Sequence, residues 1–307
     1  MTKCPFFGRC GGCKYDFAAD DYHTKKLTEI SEFSFTGAPH WCDQGVRWRA
    51  DFCFGDGKFG FFARQSKDIV AVNTCPLMLP EINAVIPLLA DLKWTGSGSC
   101  LVTSCANGLD VCIRSDVEYC SPEFKQGAQK IPAIRISWNG QTIKQTTVPT
   151  IKLGDRLVDY PSGAFLQPIP SEISGLRDMV VSHAAGSRKV ADLFCGLGNF
   201  TFVLNADGFD IVGTGIKRDL FKKPLTPGML SKYDCVVMDP PRAGALAQCQ
   251  ELVKSDIKKV IYVSCNPRTF VRDRDVLIHG GYNLSVLIPV DQFVGSAHWE
   301  LFSVFEK

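Results

Sequence analysis

A chain of 307 residues, 45% apolar and 21% charged, is long enough for two domains and ordinary in composition for a globular protein. No apolar run approaches the ~18–20 residues that span a bilayer, and the N-terminus MTKCPFFGRC has no signal-peptide core. These features argue against membrane and exported classes and lead to the expectation of a cytoplasmic protein. The net charge of +2 says nothing for or against nucleic acid, which would have to meet a local patch. Fourteen cysteines without an export signal argue for reduced thiols rather than a disulfide scaffold.

In chain order, residues 1–22 are rich in Gly, Cys and aromatics, and read as a loop held by something other than a core. CPFFGRCGGC places Cys4, Cys10 and Cys13 in a C-x5-C-x2-C spacing, and Cys75 follows in NTCPLM. Four thiolates in a reduced compartment suit a [4Fe–4S] cluster or a structural zinc, against the plainer reading of unrelated buried thiols. Cys53, Cys100, Cys112 and Cys235 lie in apolar stretches, where a free cysteine packs as a small hydrophobe. Residues 23–34 are weakly helical. From Trp48 to Val148 short strands follow one another (RADFCFG, KFGFFAR, IVAVNT, CLVTSC, LDVCIRS, AIRISW, QTIKQTTV), split by turns such as GDGK and ANGLD. They predict a mainly antiparallel sheet, interrupted by one helix over Leu79–Leu92.

Beyond Ser171 the period changes. A helical stretch leads to the strand KVADLF, glycines, a helix and the strand DIVG. CVVMD, a helix near Ala245–Lys254 and KVIYVSC come later. Alternating strands and helices predict a parallel α/β sheet. The expected domains are residues 1–158 and 159–307.

Three strand ends in the second half carry chemistry. ADLFCGLGNFT runs from a strand into a Gly-x-Gly turn, where Gly196 and Gly198 let backbone approach a ligand as in Rossmann-type loops; the plainer reading is only a turn. CVVMDPPRAG ends a strand with Asp239 and a rigid Pro-Pro lip. IYVSCNPRTFVRD puts Cys265 at a strand exit, with Arg268 and Arg272 close in sequence to favour a thiolate. A buried structural cysteine is the commoner fate of that residue type. Glu300 opens the last strand, in HWELFSVFEK.

GAFLQ (163–167), DLFCGLGNFT (192–201), DPPRAG (239–244), VSCNPRTFVRD (263–273) and VDQFVGSAHWEL (290–301) together resemble the RNA (uracil-5-)-methyltransferase family. The resemblance implies a Rossmann-like methyltransferase domain that transfers methyl from S-adenosylmethionine to C5 of a uridine. It makes Cys265 the nucleophile that adds to C6 of the base and Glu300 the base that removes the C5 proton. It puts Gln167, Phe194, Gly196, Asn199, Asp219 and Asp239 against the cofactor or the uracil. C5 of uracil is a poor nucleophile until a thiolate adds at C6, and loss of the C5 proton needs a positioned base. The target must also leave its stack.

The resemblance also implies that Cys4, Cys10, Cys13 and Cys75 hold a [4Fe–4S] cluster, as in the bacterial 23S rRNA members, in a version without an N-terminal β-barrel ahead of Cys4. The expected partner is then RNA, 23S rRNA in particular, met by a monomer. Arg47, Arg49, Arg64 and Lys67, taken as exposed, are candidate phosphate contacts or ordinary surface charges.

One segment departs from the family. DIVG (210–213) is followed after only Thr214 and Gly215 by GIKRD, which resembles the next strand of the family. Neighbouring parallel strands need about a dozen connecting residues, and no acid is evident where the family holds the ribose hydroxyls. Weak cofactor binding with the catalytic residues retained is the expected outcome; a rearranged sheet and a copy that binds RNA without methylating it are the alternatives.

Overall fold

Strand alternation organises the first half of the chain. In the computed structural model, which describes residues 2–307, seven strands form one sheet: β2 (Arg49–Gly55), β3 (Lys58–Phe62), β4 (Ile69–Ala71), β5 (Gly98–Cys105), β6 (Gly108–Ser115), β7 (Arg135–Trp138) and β8 (Gln141–Gln145). Their order is β4-β3-β2-β5-β6-β7-β8, antiparallel throughout except for β6 beside β7. That parallel step is bridged by α3 (Pro122–Ala128). The β2–β3 turn is set by Asp56 and Gly57, both at positive φ, a conformation that Asp-Gly pairs adopt in tight hairpins. Phe52, Phe54, Val102, Val111 and Ile113 pack under α2 (Pro80–Ala90) together with Trp94 and Trp138. A hairpin of β9 (Thr150–Leu153) and β10 (Arg156–Asp159) leads into the second half.

The second sheet has eight strands. β1 (His40–Trp41) comes from the N-terminal segment; the others are β11 (Val190–Leu193), β12 (Asp207–Asp210), β13 (Ile216–Lys217), β14 (Cys235–Met238), β15 (Lys259–Ser264), β16 (Asn283–Asp291) and β17 (Glu300–Glu306). The order is β1-β16-β17-β15-β14-β11-β12-β13, parallel except where β17 runs against both its neighbours. A mostly parallel sheet must be covered on both faces. α4 (Leu176–Ala184) covers one, packing Leu176, Val180 and Ala184 on Val237, Ile261, Val263, Phe302 and Val304. α7 (Leu246–Leu252) and α8 (Pro267–His279) cover the other, over Val236, Met238, Val260 and Tyr262. Short α5 (Thr201–Leu204) and α6 (Pro227–Leu230) complete the connections. The order reverses between β11 and β14, which places a ligand crevice at their carboxyl ends.

Residues before β2 belong largely with the second sheet. Tyr22 and Lys26 of α1 (Tyr22–Leu27) grip Asp291 at the end of β16: the Tyr22 hydroxyl donates to Asp291 Oδ2 at 2.6 Å and Lys26 forms a fully buried ion pair with Oδ1. Lys26 also donates to the Phe293 carbonyl, and the Trp299 indole donates to the Lys26 carbonyl. The loop between β16 and β17, which delivers Glu300, is therefore held by the N-terminal segment. No helix among the described residues is long and apolar enough to cross a membrane.

The shortened region differs from expectation in register. The strand is β12 (Asp207–Asp210), three residues earlier than DIVG, because Gly208 fits closely against Thr201 and Cys195 where a side chain would not. Ile211 and Val212 are 59% and 64% exposed. β13 then pairs in parallel with β12 through two positions only, Phe209↔Ile216 and Asp210↔Lys217. The chain has to return over only about two residues of strand, ~7 Å, so the short link from Ile211 to Gly215 suffices without a crossover helix.

Candidate active site

Strand registers bring four functional side chains to one face of the second sheet. Val237 pairs with Asp192 and with Ile261, and Ile261 pairs with Val304. Alternate residues share a face. Asp192, Asp239, Cys265 and Glu300 therefore project on the α4 side, at or just past the carboxyl ends of β11, β14 and β15 and at the start of antiparallel β17.

Residues 167–171 reach the site. Gln167 donates from Nε2 to Asp239 Oδ2 at 2.7 Å. The backbone of this segment is fixed by the first domain: Trp48 Nε1 donates to the Gln167 carbonyl and Arg49 Nη1 to the Leu166 carbonyl, each at 2.6 Å. Phe165, just before them, is 76% exposed, with the Arg49 guanidinium 5.4 Å from its ring centre. Sequence reading passed over Phe165; an aromatic two residues before Gln167 was the available signal.

Glu300 is fully buried and neither carboxylate oxygen has a partner. Burial, with Asp239 adding, raises its pKa well above the ordinary carboxylate range. Burial likewise lifts Asp239 to about 7, opposed by the Gln167 hydrogen bond. Asp192 is also lifted to about 7 by burial, opposed by Thr201, with Asp239 adding. Burial, with Glu300 and Asp239 adding and Arg242 opposing, pushes the Cys265 thiol up to about 12. The expected lowering by Arg268 and Arg272 does not occur. Arg272 is committed to Asp273 and the Ala243 carbonyl, and Arg268 is carried into solvent on α8. Arg242, from the DPPRAG lip, is the cation beside the thiol.

The glycine turn lies at the end of β11. Phe194 and Gly196 both have positive φ, and a Cβ at Gly196 would meet open space, as a cradle for a close-lying ligand requires. Asn199 Oδ1 accepts from the Ser171 hydroxyl at 2.7 Å. An acid that the sequence reading did not single out, Asp210, stands at the end of β12. Its carboxylate accepts the Gly196 N–H at 2.9 Å and the N–H groups of Ile211 and Val212. The short link then folds back on the turn: Thr214 N–H donates to the Gly196 carbonyl at 3.2 Å, and Gly213, at φ +89°, packs directly on that carbonyl. The turn is thus open at Gly196 on one flank and covered by Gly213–Thr214 on the other. Asp219 Oδ1 accepts the N–H groups of Phe221 and Lys222 in its own turn. The Phe221 ring stands 5.4 Å from that of Phe194.

Cys4, Cys10, Cys13 and Cys75 are free and partly buried. Cys4, Cys13 and Cys75 border one small apolar cluster of Phe17, Tyr22, Leu77 and Val294. Burial, with Cys75, Cys10 and Cys4 adding, raises Cys13 to about 12, so the four are neighbours. Among the described residues, however, no three His, Cys, Asp or Glu side chains converge closely enough to hold a metal ion. The expected ligand set is therefore not ready-made. Backbone ties place the thiols: Gly11 N–H to the Phe62 carbonyl, Lys14 and Tyr15 N–H to the Gly295 carbonyl, and Cys75 N–H to Asn83 Oδ1. Arg47 is half-buried with its Nε unpartnered, and its charge lowers both Cys13 and Cys75. Arg49 is half-buried too, so of the four supposed surface cations only Arg64 and Lys67 are exposed. Lys67 lines a groove on the first sheet with Lys58 and Phe62.

Comparison with known proteins agrees with this geometry. Residues 223–307 match the family model described as tRNA (Uracil-5-)-methyltransferase. An uncharacterized RNA methyltransferase of Caulobacter vibrioides is 35% identical over 99% of this chain and 85% of its own length. The chain belongs to the RNA (uracil-5-)-methyltransferase family. A 23S rRNA (uracil(1939)-C(5))-methyltransferase of Shewanella denitrificans is 27% identical over 99% of the chain and 82% of its own length. The Pyrococcus abyssi tRNA (uracil-54, C5)-methyltransferase, solved with S-adenosyl-L-homocysteine, shares the fold with a TM-score of 0.71 at 20% identity. It covers 92% of this chain, and this chain covers 81% of it. The family's methyltransferase fold is thus present in the second half. The Caulobacter alignment runs to 356 positions, more than this chain's 307 residues. The relative therefore has residues without a counterpart here, in keeping with the short link after Asp210.

Proposed function

We propose that the protein methylates C5 of a uridine in RNA, with Cys265 as nucleophile and Glu300 as base. The observation that carries this reading is the convergence of Cys265, Asp239 and a fully buried, unpartnered Glu300 on one sheet face. S-adenosylmethionine supplies the methyl group; Gly196, Phe194, Asn199, Asp239 and Gln167 are the residues that would hold it and the base. Cys265 gives its proton to solvent and adds as the thiolate to C6 of the flipped uracil, forming the S–C6 bond while the C5–C6 π pair moves to give an enolate at C4–C5. After methylation Glu300 takes the C5 proton, the C5–C6 double bond re-forms and the thiolate leaves. Phe165, exposed beside Arg49, offers a stacking surface for a neighbouring base.

The 23S rRNA is the RNA we favour, on the strength of the Shewanella relative and the four cysteines. Those cysteines, three of them bordering one apolar cluster and all four close enough to act on the Cys13 thiol, are the residues that would hold a [4Fe–4S] group. Such a cluster has a structural role in this reading, in a cytoplasmic monomer whose thiols stay reduced. One observation favours a second reading, a copy that binds RNA without methylating it: the backbone of Gly213–Thr214 lies on the cofactor turn.

The test is covalent trapping. RNA transcribed with 5-fluorouridine, which has no C5 proton to lose, should give a denaturation-resistant protein–RNA adduct in the presence of S-adenosylmethionine. Cys265→Ala should give none while still binding RNA. Equal binding by both proteins with no adduct from either would establish the non-methylating reading.

A further inference from the structure

Arg242 is exposed on the DPPRAG lip beside Cys265. Among the described residues its guanidinium meets one side chain at hydrogen-bond distance, the His298 ring, with Nη2 3.5 Å from Nε2. A guanidinium accepts no hydrogen bond, so Nε2 is the acceptor and the ring is neutral in this contact. Both side chains are placed by the site itself. The Arg242 carbonyl accepts from Asn266 Nδ2 at 2.8 Å and from the Thr269 hydroxyl at 3.2 Å, which ties the lip to the residue after Cys265. His298 stands two residues before Glu300, its N–H donating to the Ser296 hydroxyl and its ring edge-on to Phe293. That loop is held by Lys26 on the Phe293 carbonyl and by the Lys14 and Tyr15 N–H groups on the Gly295 carbonyl. The charged groups around the ring are Arg242, Lys26 and Glu29. Burial, Arg242 and Lys26 hold its pKa below the usual histidine value, and Glu29 opposes them. Lys26 is committed to Asp291, and Glu29 to Lys14 and Tyr15. Arg242 and His298 are thus an exposed pair with no acid bonded to either, and they repel once the ring is charged.

We propose that Arg242 and His298 clamp a backbone phosphate of the target uridine as its base enters the site. This rests on the C5 chemistry proposed above. Cys265 adds to C6, and C6 is bonded to N1, which carries the ribose. The sugar–phosphate backbone therefore leaves the ring on the Cys265 side, where Arg242 stands. A flipped nucleotide turns about its own backbone, so a grip on the adjoining phosphate fixes the base without reading sequence. A phosphate between the two groups accepts from the guanidinium and from a protonated imidazole, and its charge removes their repulsion. Binding then takes up a proton, because the ring is neutral in the free protein above its lowered pKa and charged in the complex. Affinity rises as pH falls through the window between the two pKa values, by at most about tenfold per pH unit, and is flat below the free-protein pKa.

The test measures binding of unmodified 23S rRNA over pH and salt, without S-adenosylmethionine and with excess polyadenylate, which has no uridine, as competitor. Wild-type affinity should rise as pH falls from about 8 to about 6. His298→Gln should lose that rise and keep the wild-type melting temperature, since the ring is exposed. His298→Lys, charged at every pH in that range, should hold the low-pH affinity throughout. Arg242→Gln should lower the slope of log affinity against log salt by ~0.7–0.9 at neutral pH, the loss of one phosphate contact. The same pH dependence in His298→Gln as in wild type would overturn the clamp, as would an unchanged salt slope in Arg242→Gln. A wild type that forms no 5-methyluridine once S-adenosylmethionine is added defeats the underlying uracil reading, and this one with it.

Discussion

Replacing Glu300 with glutamine separates the two halves of the proposed reaction. The carboxylate is buried with no hydrogen-bond partner, so the isosteric amide fits the same space and breaks no contact. Thiol addition and methylation remain available, but the C5 proton has no acceptor. Positioned bases contribute ~10²–10⁴-fold, which at ~1.36 kcal/mol per decade raises the elimination barrier by ~2.7–5.4 kcal/mol. The methylated adduct should therefore accumulate on ordinary uridine RNA, visible as a retarded band after denaturing electrophoresis that depends on Cys265. Because Glu300 must ionise against a raised pKa, wild-type turnover should increase with pH through that pKa, and the glutamine variant should lack this limb. The same substitution removes an ionisable group from a buried site, so the free variant should be more stable than wild type at alkaline pH. Wild-type turnover by Glu300→Gln without an adduct would refute the assignment of the base.

Asp192 has a folded-state pKa of about 7 against an unfolded value of ~3.9. The unfolded state gives up its proton first, so this group's contribution to stability falls by ~1.4 kcal/mol per pH unit between about pH 4 and 7 and is flat above; urea denaturation of Asp192→Asn should show that slope removed. At Gly213, alanine would force a side chain onto the Gly196 carbonyl at a positive φ. A loss of ~1–3 kcal/mol in thermal or urea denaturation is expected, with a changed affinity for S-adenosylhomocysteine by calorimetry. Lys26→Met leaves Asp291 buried and half-paired. It should cost ~3–5 kcal/mol by chemical denaturation, much of it regained in a Lys26→Met/Asp291→Leu double variant.

The parallel sheet was legible because its strands are nearly continuous apolar runs ending in Gly196, Asp239 and Cys265, where short-range pattern and chemistry coincide. The antiparallel sheet was legible from alternation and from turns such as Asp56–Gly57. Local pattern failed where distant contacts decide. Nothing in HTKKLTEISEF announces that Lys26 will be buried against Asp291, or that His40–Trp41 will form the edge beyond β16. Ile211 and Val212 look like strand yet stand exposed, because the tight fit at Gly208 fixes the pairing three residues earlier. Asp210 was in plain view but hidden by that register error. Arg268 and Arg272 were near Cys265 in sequence only; the helical turn of α8 and the pull of Asp273 direct them elsewhere.

The most direct measurement uses anaerobically purified protein, S-adenosylmethionine labelled in its methyl group and unmodified 23S rRNA, with the digested nucleosides read by mass spectrometry. Labelled 5-methyluridine, absent with Cys265→Ala, is the expected result and would show that five linking residues suffice in place of a crossover. Unlabelled RNA, recovered bound to intact folded protein, would contradict the proposed reaction and leave the Gly213–Thr214 cover over the cofactor turn as the feature that sets this chain's role.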